Sequence, residues 1–121
     1  MMAKIKLKVS GQLFSKSNSR VFSQRGGRPI LFKRKKVLEY VEGALWELKP
    51  QLRGHKTYTK PVYLNVDVYY RSKRSDLDIS LLMDILEKAG VYENDRQVYE
   101  IKCKKFFDKE NPRCVIEVGE L

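Results

Sequence analysis

Residues 61–90 read PVYLNVDVYYRSKRSDLDISLLMDILEKAG, and two different periodicities meet in that stretch. From Pro61 onward apolar side chains fall on every second residue, with Val62, Leu64, Val66, Val68 and Tyr70 on one face and Tyr63, Asn65, Asp67 and Tyr69 on the other. Successive side chains of an extended chain point to opposite sides, so a period of two predicts a strand with one buried face. After the polar run Arg71-Ser72-Lys73-Arg74-Ser75-Asp76-Leu77-Asp78, the residues Leu81, Leu82, Ile85, Leu86 and Ala89 recur at helical spacing, and Gly90 stands where a helix would stop. The stretch therefore predicts a strand, a charged connector and a short helix.

Working outward, Ala3 to Ser10 alternates Ile5, Leu7 and Val9 against Lys4, Lys6 and Lys8, which predicts a first strand. Gly11 to Ile30 is rich in Ser, Gly, Asn, Arg and Lys and reads as a long loop, a kind that in a compact domain is usually functional or disordered. From about Lys33 to Leu52 the apolar positions Val37, Leu38, Val41, Leu45, Leu48 and Leu52 predict the longer helix, with Trp46 packing at its edge. Val98 to Phe107 predicts a third strand, with Ile101, Cys103 and Phe107 at matching parity. Asp108 to Pro112 predicts a turn, and Cys114, Ile116 and Val118 mark a fourth strand. A turn that short predicts a hairpin of the third and fourth strands. The fold class expected is α/β (α+β), a four-stranded mixed sheet in the order β-α-β-α-β-β with two helices packed on it, in one domain over 1–121.

A chain of 121 residues, 42% hydrophobic and 33% charged, is long enough to bury a core without covalent staples. It has no apolar run approaching the ~20 residues that span a bilayer, and Met1 to Lys6 lacks the apolar stretch of a signal peptide. A soluble, cytoplasmic protein is expected. Cys103 and Cys114 have no spacing that would hold zinc, and they are read as reduced thiols.

The net charge is +10, and its distribution says more than the total. Residues 1–75 hold 18 Lys/Arg against 4 Asp/Glu, whereas residues 76–121 hold 7 against 11, so the basic surface is built by the first part of the chain. Such a surface suits a polyanion, because each phosphate it neutralises releases condensed counterions. Candidate phosphate contacts are Arg20, Arg25 and Arg28 in the long loop, Lys33, Arg34, Lys35 and Lys36 at the helix start, and Arg71, Lys73 and Arg74 after the second strand. A solvated basic face, or one resting on anionic lipid, is the plainer alternative. No basic amphipathic anchor helix accompanies it, so lipid ranks below nucleic acid.

Acids clustered against that basic background point to a divalent cation. Asp76 and Asp78, two positions apart, share a side if the chain stays extended through them. Asp95 would add a third carboxylate if the Tyr92 to Gln97 segment returns beside the end of the second strand. Hard cations such as magnesium take oxygen ligands and keep several waters, leaving room for phosphate oxygens. The competing reading makes Asp78 a helix cap and Asp95 a turn residue, and spacing alone leaves both open. His55 lacks an apparent orienting partner for base catalysis. The strand aromatics fit core or interface better than base stacking, and Tyr92 is the aromatic nearest the acids.

Three segments carry a resemblance: Arg74-Ser75-Asp76-Leu77-Asp78, Asp84-Ile85-Leu86-Glu87-Lys88-Ala89-Gly90-Val91 and Glu93-Asn94-Asp95-Arg96-Gln97-Val98. Together they resemble the signature of the RusA family of Holliday junction resolvases, and Ser17-Asn18-Ser19-Arg20 is similar to the loop after that family's first strand. The resemblance implies a small homodimeric endodeoxyribonuclease of phage or prophage type. It implies magnesium, or manganese, as cofactor and branched DNA as partner, with two opposed strands of a four-way junction nicked in recombination and repair. It makes Asp76, Asp78 and Asp95 the metal-binding catalytic carboxylates and adds Ser17 and Asn18 to the DNA-binding set. The chain departs from the family pattern in carrying Ile79-Ser80-Leu81-Leu82 where an Asn and then a first-turn Lys are usual, and in being about two residues shorter between Asp78 and Asp84. A non-catalytic module that binds junctions, with the same acids capping and solvating, is the alternative from another class, and an RNA-cutting enzyme is a third.

Overall fold

The computed structural model describes the backbone of residues 4–15 and 28–121 and the side chains of residues 4–15 and 35–121. Its elements follow the expected order: β1 (Lys4–Ser10), α1 (Arg28–Gln51), β2 (Val62–Tyr70), α2 (Ser80–Ala89), a single 3₁₀ turn (Asp95–Gln97), β3 (Val98–Phe107) and β4 (Arg113–Glu120). The four strands make one mixed sheet in the spatial order β1-β4-β2-β3. β4 runs antiparallel to both β1 and β2, whereas β2 and β3 are parallel.

That order corrects the expected hairpin, because β3 and β4 are not neighbours. The Asp108 to Pro112 connector steps across the end of β2, where the Asp108 N–H donates to the Tyr70 carbonyl at 2.8 Å. A five-residue link suits a hairpin or a one-strand skip equally well, and burial decides between them. β2 alternates buried and half-buried residues along its whole length, and Cys114, Ile116 and Val118 of β4 are fully buried, so these two strands take the centre. β3 is exposed almost throughout, with Ile101 and Phe107 left 44% and 50% open despite their inward parity, because it lies at the sheet edge.

One face of the sheet carries the core. Leu7, Val9, Val62, Leu64, Val66, Val68, Ile116 and Val118 pack against Leu48 of α1 and Leu82, Ile85 and Leu86 of α2, all at most 2% exposed. The short apolar stripe of α2 is thus buried as its spacing predicts. α1 begins earlier than its periodicity predicts, at Arg28, since Pro29 is tolerated in a first helical turn where its missing N–H has no partner to lose. One member of its predicted stripe differs, Leu38 being 55% exposed, and Trp46, expected at the helix edge, does not pack there but is 72% exposed, with the Lys49 ammonium 5.4 Å from its ring. Ala44 fills the place nearer the sheet. The outer edge of β1 is covered by α1, where Gln51 and Glu47 side chains accept from the Lys8 and Ser10 N–H groups at 2.8 and 2.7 Å. Both cysteines are free, and burial pushes the Cys114 thiol up to about 12. No helix among the described residues is long and apolar enough to cross a membrane.

Ile116 sits on the central antiparallel strand with no exposure. Its replacement by Ala is expected to cost about 2–5 kcal/mol, read as a lower urea midpoint with an unchanged slope.

Candidate functional site

β2 ends at Tyr70, and the chain turns through Arg71 to Arg74 before entering the irregular segment that holds Asp76 and Asp78. The two aspartates are therefore presented by a loop and not by a continuing strand. Tyr70 organises this loop. Its ring is buried, and its hydroxyl donates to the Asp76 carbonyl at 3.0 Å while accepting from the Asp78 N–H at 3.4 Å. Burial raises the hydroxyl's pKa and the Asp78 N–H contact lowers it, while the neighbouring Cys114, Asp78 and Asp76 add to the rise. The net direction is upward, so the group stays a protonated donor at neutral pH.

Asp78 is half-buried and held on both oxygens. Its Oδ2 accepts from the Ser15 hydroxyl at 3.0 Å and its Oδ1 from the Ser80 N–H at 3.0 Å. The second bond satisfies an orphan donor at the start of α2, and the carboxylate's charge is favourable at that positive helix end. Capping and ligand duties do not exclude each other, because each carboxylate oxygen carries a second lone pair. The Asp76 side chain is exposed. The first turn of α2 is Ser80-Leu81-Leu82-Met83, with both leucines buried, so no cation extends from it; Lys88 lies in the last turn.

Asp95 lies elsewhere along α2. Its N–H donates to Glu87 Oε1 at 2.9 Å, nine positions on from Asp78. Seven of those steps, from Ser80 to Glu87, are helical and amount to about 10 Å of rise. The 3₁₀ turn that carries it is tightly pinned: Asn94 Oδ1 accepts from the Arg96 N–H, Gln97 Oε1 accepts from the Asn94 N–H, and the Gln97 amide donates to the Tyr58 and Lys60 carbonyls. The Tyr92 to Gln97 segment thus comes back beside the start of β2, since the parallel β3 must begin level with Val62. Tyr92 is fully buried, and its hydroxyl donates to the Met83 carbonyl at 2.8 Å. Burial raises its pKa, with Asp95, Glu87 and Asp84 adding to the effect, which marks it as packing and not as a stacking surface. Among the described residues no three His, Cys, Asp or Glu side chains are grouped closely enough to hold a metal ion. The donor chemistry suits an ion held by Asp76 and Asp78 with water and substrate phosphate, the manner usual for magnesium. It does not suit a ready-made cage of three carboxylates.

Of the candidate phosphate contacts, Lys35, Lys36, Arg71, Lys73 and Arg74 are exposed, with the last three on the turn that leads into Asp76. The Lys73 ammonium lies 5.5 Å from the Phe107 ring and its carbonyl accepts from Lys105, which ties this turn to the end of β3. Ser17, Asn18, Arg20 and Arg25 lie outside the described residues, as do the side chains of Arg28, Lys33 and Arg34. Sequence reasoning missed Ser15 and Tyr70 as supports of the acidic loop. Tyr70 had the parity of a core residue, and nothing in its spacing marks a hydroxyl that reaches past the strand end.

Residues 11–119 match the family model described as Endodeoxyribonuclease RusA. The chain is also 33% identical over 120 residues to the crossover junction endodeoxyribonuclease RusA of Aquifex aeolicus (strain VF5), covering 97% of this chain and 92% of that protein.

Tyr70→Phe keeps the ring and removes the hydroxyl that spans Asp76 and Asp78. It is expected to cost about 1 kcal/mol of stability and to speed amide hydrogen exchange across residues 76–79. Unchanged exchange there would show that the hydroxyl does not hold the loop.

Proposed function

This chain belongs to the RusA family of endodeoxyribonucleases, and we propose that it nicks branched DNA at four-way junctions in a reaction dependent on magnesium or manganese. The observation that supports this most is the coincidence of family and site. Similarity runs nearly end to end, and the Asp76/Asp78 pair is held by Tyr70 and Ser15 beside the exposed Arg71, Lys73 and Arg74.

In this reading the chain's residues divide the work. Arg71, Lys73 and Arg74 draw a phosphate toward the loop through charge and fix its register without reading bases. Asp76 and Asp78 supply the oxygens that hold the ion, with Tyr70 bonding the backbone of both and Ser15 the Asp78 carboxylate. A divalent ion held there supplies a bound water of lowered pKa and offsets charge on the leaving oxygen. Asp95 is the third proposed carboxylate, by family resemblance, and its place beside Glu87 makes it the one whose role most needs measurement. With no cation on the first turn of α2, charge on the phosphate falls to the basic turn before Asp76. A homodimer fits the substrate, because a two-fold junction cut on opposed strands calls for two sites related by the same symmetry. Action in recombination and repair, in the cytoplasm, is part of the same proposal.

Asp76→Asn and Asp78→Asn are expected to lower metal-dependent nicking of a synthetic junction by about 100-fold or more, with binding kept or slightly tightened as a negative charge leaves the phosphate's side. Asp95→Asn is expected to lower nicking as well. Binding by the parent chain with no metal-dependent incision would instead support a non-catalytic module, and preference for structured RNA over a DNA junction would move the substrate class.

A further inference from the structure

We propose that a second phosphate-binding site lies at the opposite end of the sheet, in the cleft between the start of β1 and the 53–60 loop, and that it grips the backbone of a DNA arm away from the cut. This rests on the DNA reading above and extends it to residues outside the quoted family segments.

The cleft has a volume of about 790 Å³ and is lined by Lys4, Arg53, Lys56 and Lys60 with Glu120 as its one acid. All four cationic residues are exposed, and among the described residues none of their side chains makes a hydrogen bond or ion pair. Arg113, by contrast, pairs with Asp108 at 2.9 Å and lies 3.8 Å from the Tyr69 ring. Four like charges around one concavity repel one another, and an arriving anion relieves that repulsion. The rim is firmly built. Gly54 takes a positive φ of 79°, the Thr57 hydroxyl donates to the Gly90 carbonyl at 2.9 Å, His55 Nε2 lies 3.0 Å from the Val91 carbonyl, and Tyr58 pairs with Tyr92.

Strand β1 joins this cleft to the carboxylates. Lys4 lines the cleft, Lys6 and Lys8 follow on the same exposed face, and the chain beyond Ser10 leads to Ser15 on Asp78. Alternate residues of a strand lie ~6.6 Å apart, a spacing suited to successive backbone phosphates. Glu117, the partner of Lys6 across the sheet, is engaged by the Tyr63 hydroxyl at 2.7 Å, which lessens its opposition to a phosphate there. The nine residues of β2 separate the two ends. At ~3.3 Å per residue that is roughly 26 Å, or about eight base-pair steps at 3.4 Å of rise per step. An extended duplex arm therefore fits this cleft better than a small anion does.

The test compares the parent chain with an Arg53→Ala/Lys56→Ala double variant on exposed loop positions, using junctions with arms of about 20 base pairs, junctions with arms of about five, and plain duplex. Affinity is followed as a function of salt, and urea unfolding confirms that the variant is folded. On long arms and long duplex the variant is expected to bind about tenfold more weakly at low salt. The slope of log K against log salt should fall by about 1.8, the loss of two phosphate contacts. On short arms the two proteins should bind equally. Unchanged slopes on long arms, or an equal loss on short ones, would overturn the proposal; a Lys60→Gln variant repeats the comparison if the double variant is unstable. Nicking at saturating DNA keeps the readings apart. A chain that nicks nothing yet shows the arm-length effect keeps the cleft and loses the nuclease, whereas a chain that nicks without that effect does the reverse.

Discussion

Parallel pairing of β2 with β3 is the constraint from which most of this architecture follows. Two antiparallel strands can be joined by a tight turn, but parallel neighbours need a connection that travels the length of the strand. Residues 71–97 are that connection, and they hold every residue of the acidic signature. The same constraint spreads those residues out. Asp76 and Asp78 stand where the crossover leaves β2, and Asp95 stands where it rejoins the sheet beside the strand's beginning.

The acidic loop survives in a strongly basic protein because its geometry is held locally. Tyr70, the last residue of β2, ties Asp76 to Asp78 through two backbone groups, so the main chain at the two positions is held by a buried ring. Ser15 fastens Asp78 from the far side, bringing the segment that follows β1 against the crossover. The start of α2 adds the Ser80 N–H. What would be mutual repulsion between two acids is offset by donors and a helix end on one side and by the cationic turn Arg71 to Arg74 on the other.

Charge is distributed along the sheet as well as at its ends. β1 carries its lysines on the exposed face while its outer edge is closed by Gln51 and Glu47 of α1, which leaves that edge unavailable for pairing and the cations pointing to solvent. β3, the other edge, is open and apolar in places, but it carries Lys102, Lys104 and Lys105, and lysines on an exposed edge discourage strand-to-strand association. A sheet that is apolar on the helix side and basic along both borders presents phosphates with a surface and other sheets with little.

Much of this was legible in the sequence. Periods of two and of 3.6 are local properties, so they determined all four strands, both helices and the buried stripe of α2. The quoted segments around Asp76, Asp78 and Asp95 likewise carried the family. Only the tertiary structure decided which strands are neighbours. A short connector after Phe107 permits a hairpin or a skip, and the choice belongs to the burial of β4 against β1 and β2. Pairing also decided that Ile101 and Phe107 remain open, and helix packing that Trp46 faces solvent. Spacing along a chain limits how far apart two side chains can lie, whereas their meeting depends on strand order and direction, which are set by contacts between residues remote in sequence.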